Sequence, residues 1–296
     1  MSLLLATPLA RARRVVRTVT GGHLAASPLR GRTVLVTGAS SGIGEATAVA
    51  VGRRGATVLL VARREDELQR VAREVAAAGG TAHCYTVDLT DLAAVDGLVE
   101  RVLAEHGAVD YLVNNAGRSI RRSLHLQQDR FHDFERTMAI NYFAPVRLTM
   151  GLLPAMRAQG FGHVVNIVTW GVQIKAPKFA AYIASKTALD TFARIAGRET
   201  YGDGVTFTNM RVSLVRTPMV APTEAYDGRG STPEEAAERV VRALEERPIT
   251  VDVLLGRVGE VANLVAPRAM DFVMHRIDRR FPDSAAARAA VEAGAE

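Results

Sequence analysis

Cysteine is nearly absent from this chain. Cys84 stands alone among 296 residues, so no internal disulfide can form. A thiol without a partner fits a reducing compartment, and a cytoplasmic protein is expected. Lysine is scarce too, found only at Lys175, Lys178 and Lys186, so arginine carries nearly all the positive charge behind a net charge of +6. That charge comes without an aromatic-interleaved basic patch or a nucleic-acid reading motif, so no nucleic-acid partner is expected. Aromatic residues make up only 5% of the chain. No apolar run reaches the roughly 18 residues of a membrane span. What is plentiful is aliphatic: 48% of the chain is hydrophobic, ample for a buried core.

The first thirty residues differ from the rest. Leu3-Leu4-Leu5 is too short for a signal-peptide core, and its charges follow rather than precede it. Arg11, Arg13, Arg14 and Arg17 alternate with Val15, Val16 and Val19. Such a segment could lie on a membrane surface, or be an arm, partly disordered or packed on a neighbouring subunit. Residues 1–30 are therefore read as a basic arm, 31–255 as one domain and 256–296 as a helical extension.

From Arg32 the pattern alternates strand and helix. Thr33–Thr37 is a short continuous apolar run, as in a parallel strand buried on both faces. It leads into Gly38-Ala39-Ser40-Ser41-Gly42-Ile43-Gly44 and then a helix. Gly38 permits a tight exit from the strand, Gly42 lets backbone amides approach a pyrophosphate, and Gly44 lets the helix pack close. The positive end of the helix then faces the phosphates. A second strand, Thr57–Val61, ends in Ala62-Arg63. An acidic residue there would bind ribose hydroxyls, whereas an arginine accommodates a 2′-phosphate. Arg63 thus points to NADP(H), unless it merely opens the next helix.

A third strand, Thr81–Val87, precedes Asp88-Leu89-Thr90, where Asp88 or Thr90 is placed to cap a helix. A fourth, Tyr111–Val113, precedes Asn115-Ala116-Gly117, small enough to let backbone approach a cofactor. A long helix over 128–158 carries Asn141 in its interior. The fifth strand ends at Thr169, and the sixth is Thr206–Leu214. Six strands with intervening helices predict an α/β fold, one Rossmann-type doubly wound parallel sheet. Its carboxyl edge would gather these loops on one rim.

That rim also receives Tyr182 and Lys186, four apart on one face of a predicted helix. Free tyrosine titrates near pH ~10. A nearby cation favours the phenolate and makes the phenol a usable acid or base.

Together, Thr37–Gly44, Asp88, Asn114–Gly117, Asn141 and Tyr182-x-x-x-Lys186 resemble a classical short-chain dehydrogenase/reductase over residues 30–255. The resemblance implies that Tyr182 exchanges a proton with the substrate oxygen. Lys186 would lower the Tyr182 pKa and hold the nicotinamide ribose, and Asn141 would anchor a water relay. Asp88, with Leu89 beside it, would contact adenine. Ser40, Ser41, Ile43 and the loop glycines would hold phosphates, Asn115–Gly117 the adenosine side, and Val215 and Thr217 the carboxamide and pyrophosphate. No metal is implied. Two departures stand out. The family's serine is here Thr169, which keeps the hydroxyl donor but adds a methyl and a stiffer χ1. Val212-Ser213 replaces the family's Pro-Gly.

Asn115–Arg122, Val215–Thr223 and Phe281–Ala287 are similar to a lipid-handling branch, the actinobacterial fatty acyl-CoA reductases and related domains. That resemblance implies hydride transfer to a carbonyl of a lipophilic substrate, long-chain acyl-CoA or fatty aldehyde first, with a keto-lipid or steroid as alternative. A homodimer or homotetramer is implied as well. A nucleotide-binding sensor or scaffold with little catalysis is the alternative of another class. Arg118, Arg121 and Arg122 could meet the phosphates of coenzyme A, or form a solvated loop. Met270, Val273, Met274, Ile277 and Phe281 share one helical face. It could cover the pocket, pack on the domain or a partner, or touch a membrane peripherally.

Overall fold

The computed structural model describes residues 27–220, 228–283 and 287–288. Residues 1–26 of the basic arm and parts of two quoted motifs, Val215–Thr223 and Phe281–Ala287, lie outside the described residues.

Strands β1 (Thr33–Thr37), β2 (Thr57–Ala62), β3 (Thr81–Thr86), β4 (Tyr111–Asn114), β5 (Gly162–Thr169), β6 (Val205–Val212) and β7 (Thr250–Val251) form one parallel sheet. Their order is β3-β2-β1-β4-β5-β6-β7. The seventh strand was not expected. It is only two residues long, pairing Thr250 with Asn209 and Val251 with Met210, too short for any periodic signal. The order reverses at β1, which pairs with β2 on one side and β4 on the other. A crevice opens at such a reversal, beyond the carboxyl ends of the strands.

Because side chains alternate along a strand, β1 feeds two cores. Val34 and Val36 pack with Ala48 and Val51 of α1 (Gly42–Gly52) and with Val240 and Leu244 of α8 (Pro233–Glu246). Leu35 packs on the opposite face with Leu98 and Val102 of α3 (Leu92–His106) and Leu148 and Leu152 of α5 (Ala144–Ala158). Each fully buried aliphatic side chain contributes roughly 1.5–3 kcal/mol, so both faces hold the sheet flat against its helices.

The single helix expected over 128–158 is interrupted. Helix α4 (His132–Met138) runs into a π-helical turn, Ala139–Phe143, before α5. Proline supplies the reason. Pro145 has no N–H to donate to the carbonyl of Asn141, four residues earlier, so the regular ladder cannot close there. The remaining helices are α2 (Glu65–Ala77), α6 (Gly171–Ile174), α7 (Ala180–Glu199), α9 (Leu254–Val265) and α10 (Pro267–Arg280). No helix among the described residues is long and apolar enough to cross a membrane.

Candidate active site

A cavity of about 600 Å³ opens along the carboxyl edge. It is lined by Gly38, Ser40, Ser41, Gly42 and Ile43 of the first loop and by Asn115, Ala116 and Gly117 of the fourth. Arg63, Asp88 and Leu89 line its far end, with Tyr182, Lys186, Val215 and Thr217 at the other. Nearly every residue expected of the site is thus brought to one cavity. Three are not on its wall.

Gly44 lies beneath the loop, where a Cβ would fall 2.2 Å from the Gly38 carbonyl oxygen; any side chain would push α1 off the sheet. Asn141 is fully buried behind the wall, where its side chain accepts from the Arg118 N–H at 2.9 Å. It donates to the Arg118 carbonyl at 2.9 Å and to the Ser185 hydroxyl at 3.0 Å. Ser185 in turn donates to the Tyr182 carbonyl at 2.7 Å. Asn141 therefore ties the fourth loop to the Tyr182 helix. Thr169, at the end of β5, accepts from the Gly171 N–H at 3.1 Å, and its hydroxyl is hydrogen-bonded to the Tyr182 side chain. Its extra methyl, absent from serine, sits next to Gly171, where a Cβ would be only 3.3 Å away. The glycine makes room for the threonine.

The two neighbouring loops are cross-braced. The Thr37 hydroxyl donates to the Val113 carbonyl at 3.2 Å and accepts from the Asn115 and Ala116 N–H groups at 2.9 and 3.0 Å. The Asn115 side-chain amide donates to the Thr37 carbonyl at 2.9 Å. Asn115 thus spends its amide on the glycine loop. Ser41 precedes α1 without a side-chain cap, so the first-turn N–H groups of that helix remain for a ligand at the cavity wall. Uncapped amides, a glycine loop and an elongated cavity at the sheet reversal together fit the pyrophosphate of a dinucleotide.

Charge around the cavity departs from expectation in several places. Burial pulls the Lys186 ammonium down to about 8, and its Nζ donates to the Ile167 carbonyl at 2.9 Å. Burial pushes the half-buried Tyr182 phenol up to about 12, with the Thr169 hydrogen bond working the other way. The lowered tyrosine expected from Lys186 is not what the structure gives: desolvation raises the phenol, Thr169 alone opposes it, and the phenol keeps its proton. Asp88 does not cap α3. The Thr90 N–H and hydroxyl, then Arg63, hold its carboxyl below the ordinary value. The cap is Asp91, which accepts from the Ala93 and Ala94 N–H groups at 2.9 and 3.2 Å.

The three arginines after β4 also divide. Arg122 is buried and ion-paired with Asp133. Arg121 donates to the Phe281 and Pro282 carbonyls at 2.7 and 3.0 Å. Only Arg118 lines the cavity, and Arg136 of α4 joins it. Arg64 also lines it, 3.5 Å from the Ser40 hydroxyl. Sequence reasoning missed Arg64, Arg136, Ser185 and the bracing role of Thr37. Two had a signal: Arg64 follows Arg63, and Ser185 lies between Tyr182 and Lys186. No group of three or more His, Cys, Asp or Glu side chains among the described residues could hold a metal ion.

A glycine loop at the reversal of a doubly wound sheet is the architecture of dinucleotide-binding proteins. Residues 32–227 match the family model of the short chain dehydrogenases; the chain belongs to that family and is an oxidoreductase. It is similar to an uncharacterized oxidoreductase of Mycobacterium tuberculosis, 46% identical over 88% of this chain and 77% of that protein. It is similar also to a fatty acyl-CoA reductase of Acinetobacter baylyi, 44% identical over 88% of each. A metagenomic short-chain oxidoreductase solved in complex with NADP has a TM-score of 0.66 and 33% identity, covering 76% of this chain and 97% of that one.

Proposed function

We propose that the protein reduces a carbonyl group of a lipophilic substrate with NADPH, and that long-chain acyl-CoA or fatty aldehyde is its substrate. The observation that carries this reading is the Tyr182 phenol, which lines the dinucleotide cavity, keeps its proton through burial and is hydrogen-bonded to the Thr169 hydroxyl behind the wall. A phenol that keeps its proton at neutral pH is suited to donating it. NADPH, when bound, supplies the hydride that reduces the carbonyl carbon. Thr169 accepts from Gly171 and, in this structure, directs its proton to the Tyr182 oxygen; with substrate bound, the same proton would turn to the carbonyl oxygen and polarise it. Tyr182 gives its proton to the oxygen as charge develops there. With a thioester, the new hydroxyl then gives up its proton as the carbon–sulfur bond breaks; the aldehyde forms, and that proton goes to the departing sulfur, so coenzyme A leaves as the thiol. Lys186 holds the nicotinamide ribose, and Asn141 stands behind it as the anchor of a water relay.

Arg63 and Arg64 support NADPH over NADH, since two guanidiniums line the cavity beside Ser40 at the end of β2, where Ala62 leaves no carboxylate. Arg63→Ala should therefore weaken NADPH by roughly tenfold or more while changing NADH little. Equal losses by fluorescence titration would remove the phosphate argument. The acyl-CoA reading draws on the Acinetobacter relative. It draws also on Arg118 and Arg136, which line the cavity without a carboxylate partner among the described residues. They leave cationic room for a phosphorylated carrier. A homodimer or homotetramer is supported by a groove on α7 lined by Thr191, Phe192 and Ile195, with Ile195 exposed. Following NADPH absorbance across acyl-CoAs, fatty aldehydes and keto-lipids tests the whole reading. Oxidation with acyl-CoA or aldehyde is expected. Tight NADPH binding with no turnover on any of them would favour a sensor.

A further inference from the structure

Helices α9 and α10 stand outside the sheet and its two cores. In α9 only Gly256 and Gly259 are buried, and in α10 nothing is. Yet both are apolar along a stripe. Leu254, Val258, Val261 and Val265 recur at the spacing of one helical face, and Leu254, Leu264 and Val265 are 80%, 82% and 76% exposed. Val273 and Ile277 are exposed apolar residues on α10 as well. Scattered exposed leucines need no explanation, but two successive helices that each leave several large apolar side chains in solvent mark a contact site.

The charge pattern of α10 says what kind. Its cations are Arg268, Arg276, Arg279 and Arg280, and its acids are Asp271 and Asp278. Asp278 is spent on an ion pair with Lys178. Against one remaining acid stand four guanidiniums, none with a carboxylate partner among the described residues. They alternate with the apolar residues rather than forming a separate patch: Arg276 lies 5.1 Å over the Phe272 ring, between Val273 and Ile277 in sequence. Aliphatic and aromatic side chains flanked by unpaired arginines, on a helix too short to cross, match the chemistry of a bilayer interface with anionic headgroups. A protein partner would need acidic residues facing each of these cations.

We propose that α9 and α10 form a docking surface for an anionic lipid bilayer. The pair is tied to the site it would present. Lys178 bonds the end of α10 to the loop before the Tyr182 helix, and Arg121, after the fourth strand, grips the Phe281 and Pro282 carbonyls. Seating the pair on a membrane therefore brings the segments that carry the site, the loop after the fourth strand and the one before the Tyr182 helix, close to the phase in which lipophilic molecules are dissolved. The proposal goes beyond the catalytic reading and stands or falls without a substrate.

The test uses the full chain and vesicles of phosphatidylcholine alone or mixed equally with phosphatidylglycerol. Co-sedimentation is measured for the wild type, for a double variant Leu264→Ser/Val265→Ser, and for a triple variant Arg276→Ser/Arg279→Ser/Arg280→Ser. The wild type should sediment with the anionic vesicles, less so at high salt. The triple variant should bind on the order of a hundredfold more weakly, and the double variant should also bind more weakly. NADPH binding by fluorescence should stay unchanged in both, which reports an intact fold. No sedimentation of the wild type with anionic vesicles, or variants that bind like it, overturns the proposal. So does a wild-type assembly, seen by light scattering, that the double variant breaks while vesicles bind neither; the apolar surface would then be an interface between two copies.

Discussion

Two regions of this molecule hold their side chains in opposite ways. At the carboxyl edge, Thr37, Asn115, Asn141 and Ser185 make side-chain hydrogen bonds that cross from one loop or helix to the next. Thr37, Asn141 and Ser185 are buried and Asn115 half-buried, so a partner lost in the buried part leaves another group unsatisfied at about 1–3 kcal/mol. In α9 and α10 large apolar residues face outward, and polar contacts gather at a few anchor points, among them Asn263 to the Gln173 carbonyl at 3.0 Å and Lys178 to Asp278. The first region spends its interactions on geometry. The second leaves its interactions unspent.

Substitutions in the two regions should differ widely in effect. Tyr182→Phe removes the proton donor and, of the structural contacts, only its hydrogen bond with Thr169. Turnover should fall by roughly 10²–10⁴-fold while NADPH affinity, read by fluorescence, stays within about twofold; a variant that turns over normally would move the chemistry away from this rim.

Lys186 gives a pH signature. Its folded value of about 8 lies below the ordinary 10.5 because burial penalises the ammonium. Between those values the unfolded chain holds a proton that the folded chain has lost, so stability rises with pH across this window. The full gain is on the order of 3 kcal/mol. Chemical denaturation from pH 7.5 to 10 should show the rise in the wild type and a flatter profile in Lys186→Met. Parallel profiles would mean that the ammonium is solvated.

Asn141→Ala orphans the Arg118 backbone groups and should cost about 2 kcal/mol or more, measured by urea unfolding. At the other extreme, Leu264→Ser in α9 should change stability by no more than about 0.5 kcal/mol. If that change instead costs as much as Asn141→Ala, the helix pair belongs to the core and the two regions are not distinct.

The parts of this fold that could be read in advance are the ones whose signals are local. A strand, a glycine loop and a helix follow one another within Thr33–Gly52, and Tyr182 with Lys186 needs only one turn of helix. What escaped depends on partners far along the chain or on very short elements. The fate of Arg122 turned on Asp133, and that of Arg121 on the Phe281 and Pro282 carbonyls, which no pattern around Asn115 announces. The pKa of Tyr182 turned on burial, which spacing to Lys186 does not report. The π-helical turn was readable in principle, since Pro145 stands four residues after Asn141, but it requires asking what a proline withholds from the carbonyl behind it.

Lys175 and Lys178, with φ of 54° and 66°, hold the chain in the left-handed region between Thr169 and Tyr182. Neither is a residue that adopts it readily. Contacts from outside the sheet brace this segment: Glu260 accepts from the Gln173 amide at 2.8 Å, and Asp278 pairs with Lys178. The helical extension is thus a splint. It bridges the thirteen-residue interval between hydroxyl and phenol at two points, so a relative ending after the seventh strand would have to set the spacing of that pair by some other means.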